Sequence, residues 1–275
     1  MSGHGEWFEA FRSPPQANAT LFCFSHAGGS AAMYHAWARL LPTLQVVGVE
    51  LPGRMRRLAS PLFTDFDALL DALVLAMESR LDGEFAFFGH SLGALIAYEA
   101  ARRLSRQPAA LCVSGCLPPS LAGREERISS LSDEAFLAEV TRYDGLAEEV
   151  LQHEELLELV LPILRADFAV YESYRPQCGA KLDCPLMVMG GDADPQVEVE
   201  SLRGWADVTT ASVVQRIYRG SHFFINERSG DMLMDIEALL GEHALPRIGG
   251  QAEVPARWRS RAEVPMRASR DRLQA

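Results

Sequence analysis

Six short runs along the chain are apolar at nearly every position: 19–25 (ATLFCFS), 45–51 (QVVGVEL), 84–89 (EFAFFG), 109–115 (AALCVSG), 185–191 (PLMVMGG) and 212–218 (SVVQRIY). A strand with one face in water would alternate apolar and polar residues. Continuous apolar runs instead predict parallel strands covered on both faces. Between the runs lie segments of helical spacing. Over 65–81, Phe66, Leu69, Leu70, Leu73, Leu75 and Met77 are expected near one side. Over 92–104, Leu92, Leu95, Ile96 and Leu104 are expected on one face, with the charges opposite. Strands alternating with helices predict βαβ units, and hence an α/β fold with a mostly parallel central sheet flanked by helices.

The alternation breaks once, between Leu117 and Lys181. Two amphipathic helices follow one another there with no strand between them. One is expected over about 132–143, ending near Gly145, and the other over about 147–174, kinked at Pro162. This defines a helical insertion at about 117–180 within a domain spanning 1–245. From 246 to 275 the character changes. Seven Arg stand against two Glu and one Asp, apolar periodicity is lost, and AEVPAR at 252–257 returns as AEVPMR at 262–267. This segment reads as a basic, disordered tail, or as a docking tail for an acidic partner.

Composition narrows the classes of function. The chain has 275 residues, a formal charge of −11 and 48% hydrophobic residues. A globular chain of this size buries enough surface to dispense with disulfides or structural metal. The acidic balance argues against nucleic acid as a partner. No stretch of 18 apolar residues is present, so no membrane span is expected. The N-terminal residues carry Glu6 and Glu9 without an apolar run, so no secretory leader is expected. Cys23, Cys112, Cys116, Cys178 and Cys184 form an odd, sparse set, which suits reduced thiols and a cytoplasmic protein. Cys112 and Cys116 lie in an apolar run and read as core residues. Neither a phosphate-binding GxxxxGK[ST] nor a strand-linked GxGxxG occurs, so no nucleotide site is indicated.

The strongest local signal is Gly89-His90-Ser91-Leu92-Gly93, which follows one expected strand and opens an expected helix. That is the setting of the G-x-S-x-G nucleophile elbow, where a sharp turn pushes the serine out at the top of the sheet. A serine alcohol needs a base. Three histidines follow Ser91 in the chain: His153, His222 and His243. His153 lies in the helical insertion, in an HEELL run that lacks the second histidine of HExxH because Leu157 stands there. His243 lies near the tail. His222, in Gly220-Ser221-His222-Phe223-Phe224, follows a strand at the edge of the sheet where Ser91 emerges, and is the expected base. The acid should follow the preceding strand, where Gly191-Asp192-Ala193-Asp194-Pro195 offers two aspartates. Asp194 is favoured because it stands clear of the strand end, whereas Asp192 suits hydrogen bonding within the turn. The loop Ser25-His26-Ala27-Gly28-Gly29-Ser30 after the first apolar run supplies the second half of an oxyanion hole. The expected donors are the N–H groups of Ala27 and Leu92. Arg54, Arg56 and Arg57 suit either a solvated, salt-bridged loop or a phosphate contact. Trp37 and Trp205 read as core.

The series Phe24-Ser25-His26-Ala27-Gly28-Gly29-Ser30, Trp37, Leu51-Pro52-Gly53-Arg54 with Arg57, then the Ser91, Asp194 and His222 segments, resembles the type II (external, editing) thioesterases that accompany polyketide synthases and nonribosomal peptide synthetases. The motifs cover about residues 20–240. The resemblance implies an α/β-hydrolase fold whose helical insertion is a lid over an acyl chamber. It further implies a serine thioesterase that frees acyl or aminoacyl groups from the phosphopantetheine arm of carrier proteins. Catalysis would rest on Ser91, His222 and Asp194, with Ala27 and Leu92 as oxyanion donors, and would use no cofactor or metal. Acyl or peptidyl carrier domains would be its partners, and a monomer is expected. Ser25 stands where the family loop has proline, a departure that bears on the loop's rigidity rather than on the chemistry. Two other readings are a small-molecule carboxylesterase or lipase, and a non-catalytic binding protein of the same fold.

Overall fold

The computed structural model describes residues 7–12, 14, 15, 17–142 and 152–243; Gly145, the expected start of the second inserted helix near 147 and the tail from 246 lie outside them. Among the described residues one sheet forms from β1 (Phe8–Ala10), β2 (Ala19–Phe24), β3 (Leu44–Val49), β4 (Phe85–His90), β5 (Leu111–Ser114), β6 (Leu186–Gly191) and β7 (Val213–Tyr218). Its order is β1-β3-β2-β4-β5-β6-β7, and every pairing is parallel except β1 with β3. The fold is that of an α/β-hydrolase.

The continuous apolar runs follow from the pleat. Successive side chains point to opposite faces, and both faces are covered. Phe22, Phe24, Phe85, Phe87 and Val188 enter the core shared with α2 (Phe66–Glu78) and α3 (Leu92–Arg103). Their neighbours Leu21, Cys23, Phe88, Met187 and Met189 enter the opposite core, shared with α1 (Trp37–Leu40) and α6 (Phe224–His243). Trp37 and Trp205 are buried, one on each side. Cys112 and Cys116 are buried free thiols.

Two details of the helices differ from expectation. Asp65 caps α2 by accepting from Ala68 N at 2.9 Å, and Leu69, Leu70, Leu73 and Met77 are buried, but Leu75 is 67% exposed. Two residues past Leu73 is about 200° around a helix, so Leu75 faces outward. In α3, every residue from Leu92 to Ala101 is buried, Glu99 included. Its carboxylate accepts from Tyr174 Oη at 2.7 Å and pairs with Arg102 at 2.8 Å, so the expected charged face shrinks to the final turn.

β2 is the topological switch point. The chain leaves it for β3 on one side and returns through α2 to β4 on the other. The C-terminal ends of β2 and β4 therefore open into facing loops, which is where ligands bind in open α/β sheets. Between β5 and β6 the chain places α4 (Asp133–Arg142) and α5 (Glu154–Ser173), the latter running through Pro162. Within the described residues α5 begins at Glu154 rather than earlier, with the exposed His153 in its N-cap position. Among the described residues no helix is long and apolar enough to cross a membrane.

Glu50, just past β3, is a buried carboxylate with an energetic consequence. Its Oε2 accepts from Ala31 N at 3.3 Å, and its Oε1 has no hydrogen-bond partner among the described residues. Burial pushes its carboxyl up to about 7, with Glu9 adding to the rise and Arg54 and Arg57 opposing it. A carboxyl raised above its unfolded value stabilises the fold fully below that value, and the contribution is lost as pH climbs through the folded value. Glu50→Gln should therefore lose less thermal stability than the parent between pH 5 and pH 8. Parallel melting-temperature profiles for the two proteins would contradict this.

Candidate active site

Ser91 joins β4 to α3 with φ 54° and ψ −124°, outside the regions open to ordinary side chains. Such a residue costs of order 1–3 kcal/mol and persists only where its surroundings dictate it. Here Ser91 N donates to Ser114 O at 2.8 Å, and Ser91 O accepts from Ala94 N at 2.9 Å. The flanking glycines are steric necessities. A Cβ on Gly89 would strike the Gly93 carbonyl, and one on Gly93 would strike the Phe24 carbonyl at the end of β2. Without them α3 could not approach the sheet closely enough to turn the serine outward.

His222 lies in the turn between β7 and α6 and is 3% exposed. Its Nδ1 stands 2.8 Å from Asp194 Oδ2, and the Asp194 side chain is fully buried. The other oxygen of that carboxylate accepts from Gln196 N at 2.8 Å and Val197 N at 3.2 Å, which fixes its orientation. Asp192 is exposed and accepts from Gly220 N at 2.9 Å, closing the turn before His222 without reaching the ring. The structure thus gives the two aspartates different work, and brings Asp194 to His222.

Ser91, His222, Ala27 and Leu92 all line one cavity of about 260 Å³, with Phe168 and Tyr171 contributed by α5. Among the described residues no hydrogen bond joins Ser91 to His222; such bonds commonly tighten only when substrate is bound. The backbone donors around the cavity are mostly occupied. Gly28 N donates to Asp167 Oδ2, Gly29 N to His26 O and Ser91 N to Ser114 O. The N–H groups of Ala27 and Leu92 have no such partner among the described residues, and so stand free for an anion at the cavity wall.

Three features escaped the reading of the sequence. Arg54 and Arg57 are buried rather than solvated. Arg54 is buried against Asp167, while Arg57 lies over the Trp7 ring at 3.7 Å and donates to Glu50 O at 2.9 Å. Only Arg56 is exposed among the three, 3.6 Å from Glu9. Half-buried His26 and fully buried His90 form an imidazole group with His222, His26 to His90 at 6.0 Å and His90 to His222 at 5.2 Å between ring centres, with Phe223 packed against all three. Burial, together with the charge of His222, pulls His26 down to about 4 and His90 well below the usual imidazole range. The charged form of both rings is thus disfavoured beside the expected base. His90 fills an x position of G-x-S-x-G, and nothing local to either histidine announces the company its ring keeps. Third, Ser25 Oγ is buried without a hydrogen-bond partner among the described residues.

Comparison with known proteins gives a consistent picture. The family model described as "Thioesterase domain" matches residues 19–240. The chain is 39% identical over 238 residues to thioesterase PikA5 of Streptomyces venezuelae, covering 84% of each chain. It is 33% identical to the gramicidin S biosynthesis protein GrsT of Aneurinibacillus migulanus, covering 85% of this chain and 93% of that one. Among solved structures it superposes on the type II thioesterase BorB from the borrelidin biosynthetic cluster with a TM-score of 0.79 and 37% identity, over 85% of this chain and 97% of BorB.

Proposed function

This chain belongs to the thioesterase-domain family, among the type II thioesterases of polyketide and nonribosomal peptide systems, and from that premise we propose that Ser91, His222 and Asp194 carry out its thioester hydrolysis. The observation that carries the assignment is the 2.8 Å contact of Asp194 with His222, at the wall of the cavity into which the strained Ser91 opens.

In this reading Ser91 Oγ attacks the thioester carbonyl carbon as its proton passes to His222 Nε2. The carbonyl oxygen becomes an oxyanion held by the N–H groups of Ala27 and Leu92. Asp194 keeps the Nδ1–H tautomer of His222 and offsets the imidazolium charge. As the tetrahedral adduct collapses, the carbon–sulfur bond breaks and His222 returns its proton to the departing thiolate. Water then attacks the acyl-serine with His222 again as base. The second adduct releases a carboxylic acid and restores Ser91.

The substrates we propose are acyl or aminoacyl groups stalled or misprimed on the phosphopantetheine arm of carrier proteins. The carrier proteins are the partners, and the segment 117–180 is a lid over the acyl chamber. α5 supports this reading by supplying Phe168 and Tyr171 to the cavity wall. A carrier surface offers contacts remote from the reacting carbon, and such binding energy can be used in the transition state. An acyl group on a carrier protein should therefore show kcat/KM at least about tenfold above the same acyl group on a short pantetheine thioester, equivalent to about 1.4 kcal/mol. Equal values, with oxyesters turned over as well as either thioester, would favour a general esterase instead.

A further inference from the structure

Arg54 and Asp167 form an ion pair whose side chains are each 6% exposed. Replacing such pairs by apolar residues is often neutral or stabilising, because desolvation offsets the attraction. Stability alone therefore gives little reason for the pair, and its connections suggest another. Asp167 belongs to α5, and its Oδ1 accepts from Arg54 Nη2 at 2.8 Å. Its Oδ2 accepts twice, from Arg54 Nη1 at 2.8 Å and from Gly28 N at 2.7 Å. Arg54 Nη1 donates also to Gly29 O at 2.8 Å, and Nε to Pro52 O at 3.2 Å. The pair thus grips the two residues that follow Ala27. The Ala27 N–H shares its peptide plane with His26 O, and that oxygen accepts from Gly29 N at 2.9 Å, so holding Gly28 and Gly29 holds the turn whose closing bond orients the Ala27 N–H.

Packing acts at the same point. Gly28 has φ 77°, and a Cβ there would collide with Leu164, one turn before Asp167 on the same side of α5. Beyond Arg54, Met55 is exposed and held at φ 46°, the other non-glycine residue with positive φ among those described. Strain of this kind survives where neighbours are anchored, and Arg54 is such an anchor. We propose that Arg54 and Asp167 are positioning residues, which set the Ala27 N–H for the oxyanion from the inserted helix α5, so that the oxyanion hole is complete only while α5 lies against the loop. The proposal rests on the assignment of Ser91 and of the oxyanion donors.

Arg54→Lys keeps the charge but cannot form the fork, and Asp167→Asn keeps an acceptor but not the charge. In the full chain, each should lower kcat on a short acyl-pantetheine thioester by roughly 10–100-fold, with KM within about twofold. Two ligands separate positioning from mere structural damage. An acyl trifluoromethyl ketone, whose carbonyl oxygen becomes anionic when Ser91 adds to it, should lose affinity in proportion to kcat/KM. The matching acyl-pantetheine thioether, which carries no developing charge, should bind as to the parent. Ser91→Ala, inactive in the same assay, shows that the underlying assignment holds. If it stays active, that assignment falls, and the positioning role with it. With Ser91→Ala inactive, unchanged kcat and ketone affinity in either folded variant would overturn the proposal alone. So would equal losses for ketone and thioether. If Asp167→Asn does not fold, Arg54→Lys decides.

Discussion

Ser91→Ala lowers thioester turnover by about 10³-fold or more and leaves the melting temperature close to that of the parent. The loss is large because no other group in the cavity can take over. Cys116 lines the same cavity, but burial pushes its thiol far above the usual range, so it supplies no thiolate near neutral pH. Ser114 Oγ is buried and lies 3.0 Å from His90 Nδ1, away from the cavity lining. His222 and Asp194 would remain in place with nothing to activate. The fold survives because the turn is dictated from outside the side chain. The backbone bonds of residue 91 to Ser114 and Ala94 are unaffected, and alanine occupies the same φ of 54° at the same cost as serine. Initial rates on an acyl-pantetheine thioester, read beside thermal unfolding, check both halves. Retention of most activity would remove the serine mechanism.

The two aspartates give the second large effect. Asp194→Asn should cost roughly 10²–10⁴-fold in kcat, because an amide in place of Oδ2 can present N–H to His222 Nδ1 and select the wrong tautomer. It also removes the negative charge that offsets the imidazolium. Asp192→Asn should cost less than about fivefold, since the retained carbonyl oxygen can still accept from Gly220 N, the one bond that side chain makes among the described residues. The ratio of the two kcat values is the readout. The reverse ranking would reassign the acid to Asp192.

What was legible in the sequence follows the range of the interactions involved. The parallel strands β2 to β6 could be read because both faces are buried, so each run is apolar at nearly every step; the edge strand β7 is only half-buried and carries Gln215 and Arg216. β1, three residues long at an antiparallel edge, leaves no periodic trace and was missed. The nucleophile elbow was legible because its glycines punctuate a strand-to-helix turn: Gly89 answers a collision with Gly93, four residues on, although Gly93 itself answers one with the distant Phe24 carbonyl. The distinction between Asp192 and Asp194 rested on a local argument as well, namely which carboxylate a turn consumes and which it leaves over. Arg54 was not legible. Its partner lies 113 residues away on an inserted helix, and nothing in Pro52-Gly53-Arg54 announces a buried acid. The low basicity of His26 and His90 is equally non-local, since it arises from burial and from imidazoles brought together by β2, β4 and the turn before α6. Leu75 failed for a simpler reason: a generous angular window admitted a residue from the far side of the helix.

The most direct test of the central claim, that an activated Ser91 hydrolyses the thioester, is active-site titration with a fluorophosphonate. Attack by Ser91 Oγ on phosphorus expels fluoride and leaves a stable adduct. Intact-protein and peptide mass measurements give its amount and position, while the same samples are assayed on an acyl-carrier thioester. The account predicts one adduct per chain, on Ser91, with turnover falling in linear proportion to labelling and neither effect in Ser91→Ala. Full turnover in fully labelled protein, or inactivation that tracks an adduct at another residue, would contradict it.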